Sequence, residues 1–208
     1  MFLRLFLLLV NNLYLYLALG KVILDVGREK KVTIRLVPSG LRYNKEILEM
    51  LEKMSKDENG PLRSYGAINK VTIIGFLQRL YNHAFGINMQ EGDIQVLTFW
   101  VYDSKTLIGM AKLRMGLTPE LEKQGGNLGY YIKPEYRNKG YVPLIVSELI
   151  EEGKKRGLKQ ILMTAKYDDF SMIELIMDNG GVEEEADGEM LRFWINLTET
   201  EKVVRDVE

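Results

Sequence analysis

Apolar residues in this chain recur at two spacings, every second position in some segments and every third or fourth in others. Val32–Val37 alternates and ends at Pro38, which predicts a strand. Ile47, Leu48, Leu51 and Met54 form a helical stripe with Asn44 at its start. Asp57–Pro61 reads as a loop, and a second helix is expected from Asn69 to Ala84. Glu91-Gly92-Asp93 is a turn. Ile94–Tyr102 and Thr106–Arg114 read as two strands of a hairpin that turns at Asp103-Ser104-Lys105. Residues 115–126, with Pro119 and Gly125-Gly126, read as a flexible loop, and Leu128–Ile132 as the next strand. Residues 140–156 predict a helix with Pro143 in its first turn and a stripe of Ile145, Val146, Leu149 and Ile150. Lys154, Lys155 and Arg156 suit its C-terminus, and Gly157 closes it. Gln160–Thr164 is a buried strand, and Asp168 or Asp169 caps a helix ending at Asn179-Gly180. A strand or turn follows, then a last strand at Met190–Asn196 and a polar tail from Thr198.

Residues 1–19 stand apart, strongly apolar with Arg4 as the only charge. Arg4, the leucine-rich run and Ala18-Leu19-Gly20 have the outline of a signal peptide. A transmembrane span fits less well, because Asn11-Asn12 sit in the middle of a short segment. Leu13–Leu17 alternates, as a strand does. The next methionine, Met50, comes too late to include the strand at Val32, so an upstream start codon is a further reading. A loose appendage or such an artefact is favoured over a working export signal. The expected organisation is an apolar appendage at 1–30, one domain at 31–197 and a polar tail at 198–208.

Composition narrows the chemistry. The 208 residues suffice for one well-buried core. With 28 basic and 29 acidic residues the formal net charge is -1, which gives no electrostatic case for nucleic acid. There is no cysteine, hence no disulfide, thiolate metal site or cysteine nucleophile. His83 is the single histidine, so a multi-histidine metal site is not expected and no metal is assigned. His83 sits in the apolar run Ile74, Leu77, Leu80, Tyr81, Ala84, and a packed or surface role outweighs a catalytic one.

The segment from Gly129 to Pro143 carries the clearest chemistry. It reads as a strand, a turn and the first turn of a helix, with cations at Lys133, Arg137 and Lys139. A helix N-terminus offers unpaired amides and the positive end of the helix dipole, which suits a phosphate or pyrophosphate. Gly140 lets the backbone approach a ligand with no Cβ in the way. An ordinary exposed β–α turn would keep the same charges.

Read as Arg137-x-x-Gly140-x-Val142, the turn resembles the acetyl-CoA pyrophosphate loop of the GNAT superfamily of N-acetyltransferases. That pattern ends in Gly or Ala where this chain has Val142. The order of elements over residues 31–197 is similar to that superfamily too. Thr98-Phe-Trp100, Leu107-Ile-Gly109, Arg114, Gly125-Gly126, Leu128-Gly-Tyr130 and Gly180-Gly181 resemble a bacterial subgroup of predicted acetyltransferases. Where that subgroup begins a helix with Asp-Asn-x-x-Ser, this chain has Asp168-Asp-Phe-Ser-Met172.

The resemblance implies an α/β fold of mixed α+β type, a central sheet flanked by helices. It implies a gap between the strands near Leu128–Lys133 and Gln160–Thr164, filled by pantetheine like an added strand, with a bulge at Gly129. The Ile132 main chain would hold pantetheine. Lys133, Arg137, Asn138, Lys139, Gly140, Tyr141 and Val142 would hold the pyrophosphate, and Asp169 would lie beside the cofactor. The implied activity is acetyl transfer from acetyl-CoA to a small-molecule or peptidyl amine in the cytoplasm, with a homodimer open. The family's tyrosine acid aligns with Ile176, and a histidine of the subgroup aligns with Asn127, so no catalytic residue is assigned. One of Tyr130 and Tyr131 should face the cleft and the other the core. Arg114 and the 115–126 loop, with Glu120 and Glu122, would bound the acceptor pocket. Two alternatives stay open: a degenerate acyl-CoA-binding module, and a membrane-associated interaction protein acting through residues 1–19.

Overall fold

The computed structural model describes residues 15–18, 21–24, 33–56, 62, 66–184 and 189–198. The chain divides into two units, residues 1–32 and 33–208. In the first, β1 (Leu15–Ala18) and β2 (Lys21–Leu24) pair antiparallel, Leu15 opposite Leu24 and Ala18 opposite Lys21. The remainder of the apolar leader, the expected loop at 57–61 and the tail from 199 lie outside the described residues.

The second unit builds two half-sheets. β3 (Ile34–Pro38), β4 (Val96–Asp103), β5 (Thr106–Arg114) and β6 (Leu128–Ile132) form one, antiparallel and in that order. β7 (Gln160–Lys166), β8 (Gly181–Glu184) and β9 (Met190–Asn196) form the other, with β9 in the centre. Successive side chains on a strand take opposite faces. Thus Phe99 and Val101 of β4 enter one apolar cluster and Trp100 enters the other. On β5, Ala111 and Leu113 are parted from Met110 in the same way.

Helices complete the two faces. α1 (Lys45–Lys56) and α2 (Ile73–Phe85) bring Leu51, Met54, Phe76 and Leu77 to the Trp100 side. α4 (Tyr141–Lys155) and α5 (Phe170–Asp178) bring Ile145, Val146, Leu149 and Ile176 to the Phe99 side. Each such large apolar side chain contributes roughly 1.5–3 kcal/mol on burial. Gly153 lets α4 lie close on β7, since a Cβ there would stand 3.1 Å from Ile161 Cδ1.

Several boundaries differ from the expected ones, each for a local reason. α1 does start at Asn44, whose Oδ1 accepts the Ile47 amide at 2.9 Å. α2 starts at Ile73 rather than Asn69. Asn69 Oδ1 instead accepts the amides of Val71 and Thr72 at 2.8 and 3.2 Å and holds a turn. The supposed flexible loop contains a short helix, α3 (Pro119–Lys123), capped by Thr118 and opened by Pro119. Thr before Pro is a start signal that composition alone obscured. β7 continues past Thr164 to Lys166, and the segment left between strand and turn is β8.

Among the described residues, both apolar clusters draw on positions from Ile34 onward. A chain beginning at Lys30 should therefore fold with an unchanged urea midpoint and m-value. Aggregation of that shorter chain, with the full chain well behaved, would count the leader as part of the core.

Candidate functional site

Between β6 and β7 the sheet is interrupted. No register pair joins these strands among the described residues. The interruption begins at a neck built on Asn127, which is 3% exposed. Its amide donates to the Leu162 carbonyl at 2.8 Å, and its Oδ1 accepts the Leu162 amide at 2.7 Å. Its Nδ2 donates to the Arg114 carbonyl at 2.9 Å, and its own carbonyl accepts the Arg114 amide at 2.8 Å. One side chain thus ties β5 to β7 by one donated and one accepted bond.

The glycines before Asn127 make the same junction. Gly126 has φ +58°, and a Cβ there would strike the Leu162 carbonyl. The Gly125 amide donates to Thr164 Oγ1 at 3.0 Å. Arg114 Nη1 donates to the carbonyls of Gly126 at 3.0 Å and Leu128 at 3.2 Å. The bulge expected at Gly129 is not there: the β5–β6 register runs through Lys112–Gly129 and Ala111–Tyr130 without a shift. Gly129 has a different task, because a Cβ would stand 3.3 Å from Arg114 Nη2. It makes room for the guanidinium.

Beyond the neck, the far end of β6 leads through a 3-10 turn (Pro134–Tyr136) into α4. Asn138 and Gly140 have φ +59° and +75°, and Gly140 caps the helix with open space where a Cβ would be. The first-turn amides of a helix have no intrahelical acceptor, and Pro143 has no amide hydrogen to offer. The side chain of Tyr141 is buried, and its hydroxyl donates to Asp103 Oδ2 at 2.8 Å. Burial, then the Asp103 bond, push its phenol up to about 12. Tyr141 therefore contributes main chain to the turn and anchors α4 to the β4–β5 hairpin. Val142 packs against the apolar core, so its branched side chain does not occupy the turn.

The expected phosphate cations separate into two groups. Arg137 and Lys139 are exposed on the turn. Arg137 Nε donates to the Ile132 carbonyl at 3.1 Å, and its guanidinium lies 5.8 Å from the Tyr131 ring. Lys139 Nζ lies 5.2 Å from the Tyr136 ring. Lys133 is engaged elsewhere: its Nζ donates to the Leu107 carbonyl at 2.9 Å and stands 3.7 Å from Glu135.

On the β7 side, Asp169 caps α5, with its Oδ1 accepting the Met172 amide at 3.1 Å. Tyr130 of β6 is an exposed aromatic, whereas Tyr131 packs on the α1–α2 core. Burial, and then the Asp169 charge, raise the Tyr130 phenol above its ordinary value. Ile176 is fully buried against Gly181, far from any role in proton transfer.

A cavity of about 250 Å³ lies on the α2 face, lined by His83, Asp93, Thr98, Lys112, Arg114 and Leu121 among others. Burial, with the Arg114 charge beside it, pushes Lys112 down to about 8. Thr98 is 3% exposed, and its hydroxyl has no hydrogen-bond partner. Glu120 and Glu122 are exposed on α3 and do not line the cavity. Lys112 is a lining residue that sequence reasoning passed over, and His83 one to which it gave a packed or surface role. For Lys112 the signal was a lysine at an inward position of an apolar strand.

Comparison with known proteins follows from this geometry. The model of the Acetyltransferase (GNAT) family matches residues 48–177. No curated protein matches the chain. A spermidine N-acetyltransferase chimera from Vibrio cholerae and human sequences is 18% identical, covers 79% of this chain and 95% of its own, and has a TM-score of 0.52. The microcin C7 self-immunity acetyltransferase, solved with acetyl-CoA and AMP, is 14% identical with coverages of 78% and 92% and a TM-score of 0.53. A ribosomal L7/L12 alpha-N-protein acetyltransferase, solved with coenzyme A, is 11% identical with coverages of 78% and 92% and a TM-score of 0.54. At these identities the likeness shows a shared fold.

Asn127→Ala should destabilise the protein by about 2–3 kcal/mol, because the Leu162 amide and Arg114 carbonyl lose partners in a buried place. Denaturant unfolding measures this. A change under about 0.5 kcal/mol would mean the neck is not held by Asn127.

Proposed function

The chain belongs to the GNAT family of acetyltransferases, and from that membership we propose that it moves an acetyl group from acetyl-CoA to a primary amine of a small molecule or peptide. The observation that carries this reading is the unpaired interval between β6 and β7, placed next to the open N-terminus of α4. A strand edge with free amides and carbonyls accepts another chain of amides, and pantetheine is such a chain. The Ile132 main chain would receive it once Arg137 gives up the Ile132 carbonyl and swings to phosphate. The amides of residues 138–142, with Arg137 and Lys139, would receive the pyrophosphate. Lys133 contributes to the shape of the turn through Leu107. Such a donor is consistent with action in the cytoplasm. No helix among the described residues is long and apolar enough to cross a membrane.

Acyl transfer asks the protein for alignment, a stabilised oxyanion and a proton for the departing thiolate. Alignment comes from the neck, which fixes where β6 and β7 part. Ile176 has no proton to give. Tyr130 has one, on a side chain 37% exposed and near enough to feel Asp169. Its raised phenol stays protonated at neutral pH, the state a donor to a thiolate requires. Asp169 keeps its capping role.

Coenzyme A should raise the melting temperature of the protein. At a hundredfold excess over Kd the gain is about 2.7 kcal/mol, or roughly 5–10 °C for a chain of this size. Gly140→Asp should remove the shift by placing a Cβ and a negative charge beside the phosphates. No shift in the wild type at millimolar coenzyme A would overturn the reading.

Tyr130→Phe should lower turnover at least about tenfold while leaving coenzyme A affinity unchanged. Asp169→Asn should keep the cap and cost turnover a few-fold at most. A loss of about a hundredfold in Asp169→Asn, with binding intact, would make Asp169 the general base. Binding without turnover in every variant would identify an acyl-CoA-binding module.

A further inference from the structure

We propose that the cavity beneath α2 is an anion subsite, which selects an acceptor whose amine is borne by a small molecule carrying a carboxylate or phosphate. This rests on the transferase reading above for the word acceptor, but the binding claim stands on the cavity itself. Two cations, Lys112 and Arg114, sit two residues apart on β5 and point to the same face. Both line the cavity, with His83 from α2 beside them. Asp93, at the turn before β4, is the one lining carboxylate among the described residues, and its Oδ2 already accepts the Gln90 amide at 2.8 Å. The exposed Glu120 and Glu122 of α3 do not reach the lining. Among the described residues, the lining thus holds two cations and one carboxylate.

The remaining lining speaks for a ligand as well. Thr98 presents a buried hydroxyl with no hydrogen-bond partner, and buried polar groups are normally satisfied. An anionic oxygen in the cavity would accept from it. Leu80, Ile94, Val96 and Leu121 supply apolar wall. At about 250 Å³ the space falls below the usual range for drug-sized ligands, so the acceptor, or the part that enters, is small. Lys112 is held down to about 8 because its charge is buried beside another cation. An anion would relieve both penalties, so it binds best to the protonated lysine.

The cavity also has a route to the neck. The Arg114 guanidinium that lines it donates to the carbonyls of Gly126 and Leu128, where β6 leaves β7. An anion held here leaves its amine near the place where the pantetheine arm would end.

The test is titration calorimetry on the full chain, with and without coenzyme A, using two matched pairs. Leucine against leucinamide tests the carboxylate, and phosphoethanolamine against ethanolamine tests the phosphate. In at least one pair the anionic member should bind roughly tenfold tighter, the worth of one charge-assisted hydrogen bond. Lys112→Met should erase that preference while keeping the thermal shift with coenzyme A. Thr98→Val, which keeps the shape and removes the hydroxyl, should reduce it. The preference should weaken as pH rises through about 8, where Lys112 loses its proton, and Lys112→Met should lack that step. A ratio below about fivefold in both pairs, or a preference unchanged in Lys112→Met, would overturn the subsite. Loss of the coenzyme A shift in the wild type would instead strike the donor reading and leave the anion titration to decide its own case.

Discussion

Two half-sheets meet at one buried amide side chain. Asn127 donates and accepts with Leu162 on one side and Arg114 on the other, and these bonds lie where water does not compete. Past that point β6 and β7 go separate ways. A sheet that divided without such a tie would slide or close, because unpaired strand edges seek partners. Asn127 fixes both the position at which pairing stops and the separation that follows. The glycine at 126 is part of the same constraint, since β7 comes too close for any Cβ there.

The far end of the gap is held by a different tie. Tyr141 buries its ring at the start of α4 and bonds Asp103 in the β4–β5 hairpin. Arg137 bridges back to Ile132 across the 3-10 turn. Helix α4 then packs its apolar stripe under both half-sheets, through Phe99, Val101 and Ile161. The open turn at 138–140 is consequently stiff at both ends, with left-handed backbone at Asn138 and Gly140 between them. Preorganised amides of this kind pay little reorganisation on meeting a charge.

Much of this was legible in the residues. Leu128–Ile132 and Met190–Asn196 have the bounds that alternation predicts, and α4 lies within a residue of its expected span. Periodicity works there because each segment buries one face and nothing competes. It failed where side chains bond to the backbone. Asn69 reads as a helix start, but its amide oxygen serves a turn. Thr118-Pro119 starts a helix inside a segment whose glycines suggested looseness. At the site, alignment put Asn127 where relatives have histidine and suggested a missing base. Only the fold shows it spanning β5 and β7. Gly129 looked like a bulge and proved to be clearance for Arg114, a contact between strands that no single-strand pattern encodes. Val142 departs from the family pattern at the phosphate turn, and its side chain packs against the core.

Arg114 joins these parts. Its main chain bonds Asn127, its guanidinium gathers the carbonyls of Gly126 and Leu128, and the same group lines the cavity under α2. Those carbonyls belong to the segment that leads into the gap. Any change in how the guanidinium is held is therefore transmitted to the carbonyls it gathers. An anion beside Lys112 would add negative charge next to the guanidinium. The pull on Gly126 and Leu128 would then change with that charge. On the proposed subsite reading, an anion in the cavity would reach the neck through Arg114, which lines the one and bonds to the other. Lys112, buried beside that guanidinium, carries a desolvation penalty on the same face of β5.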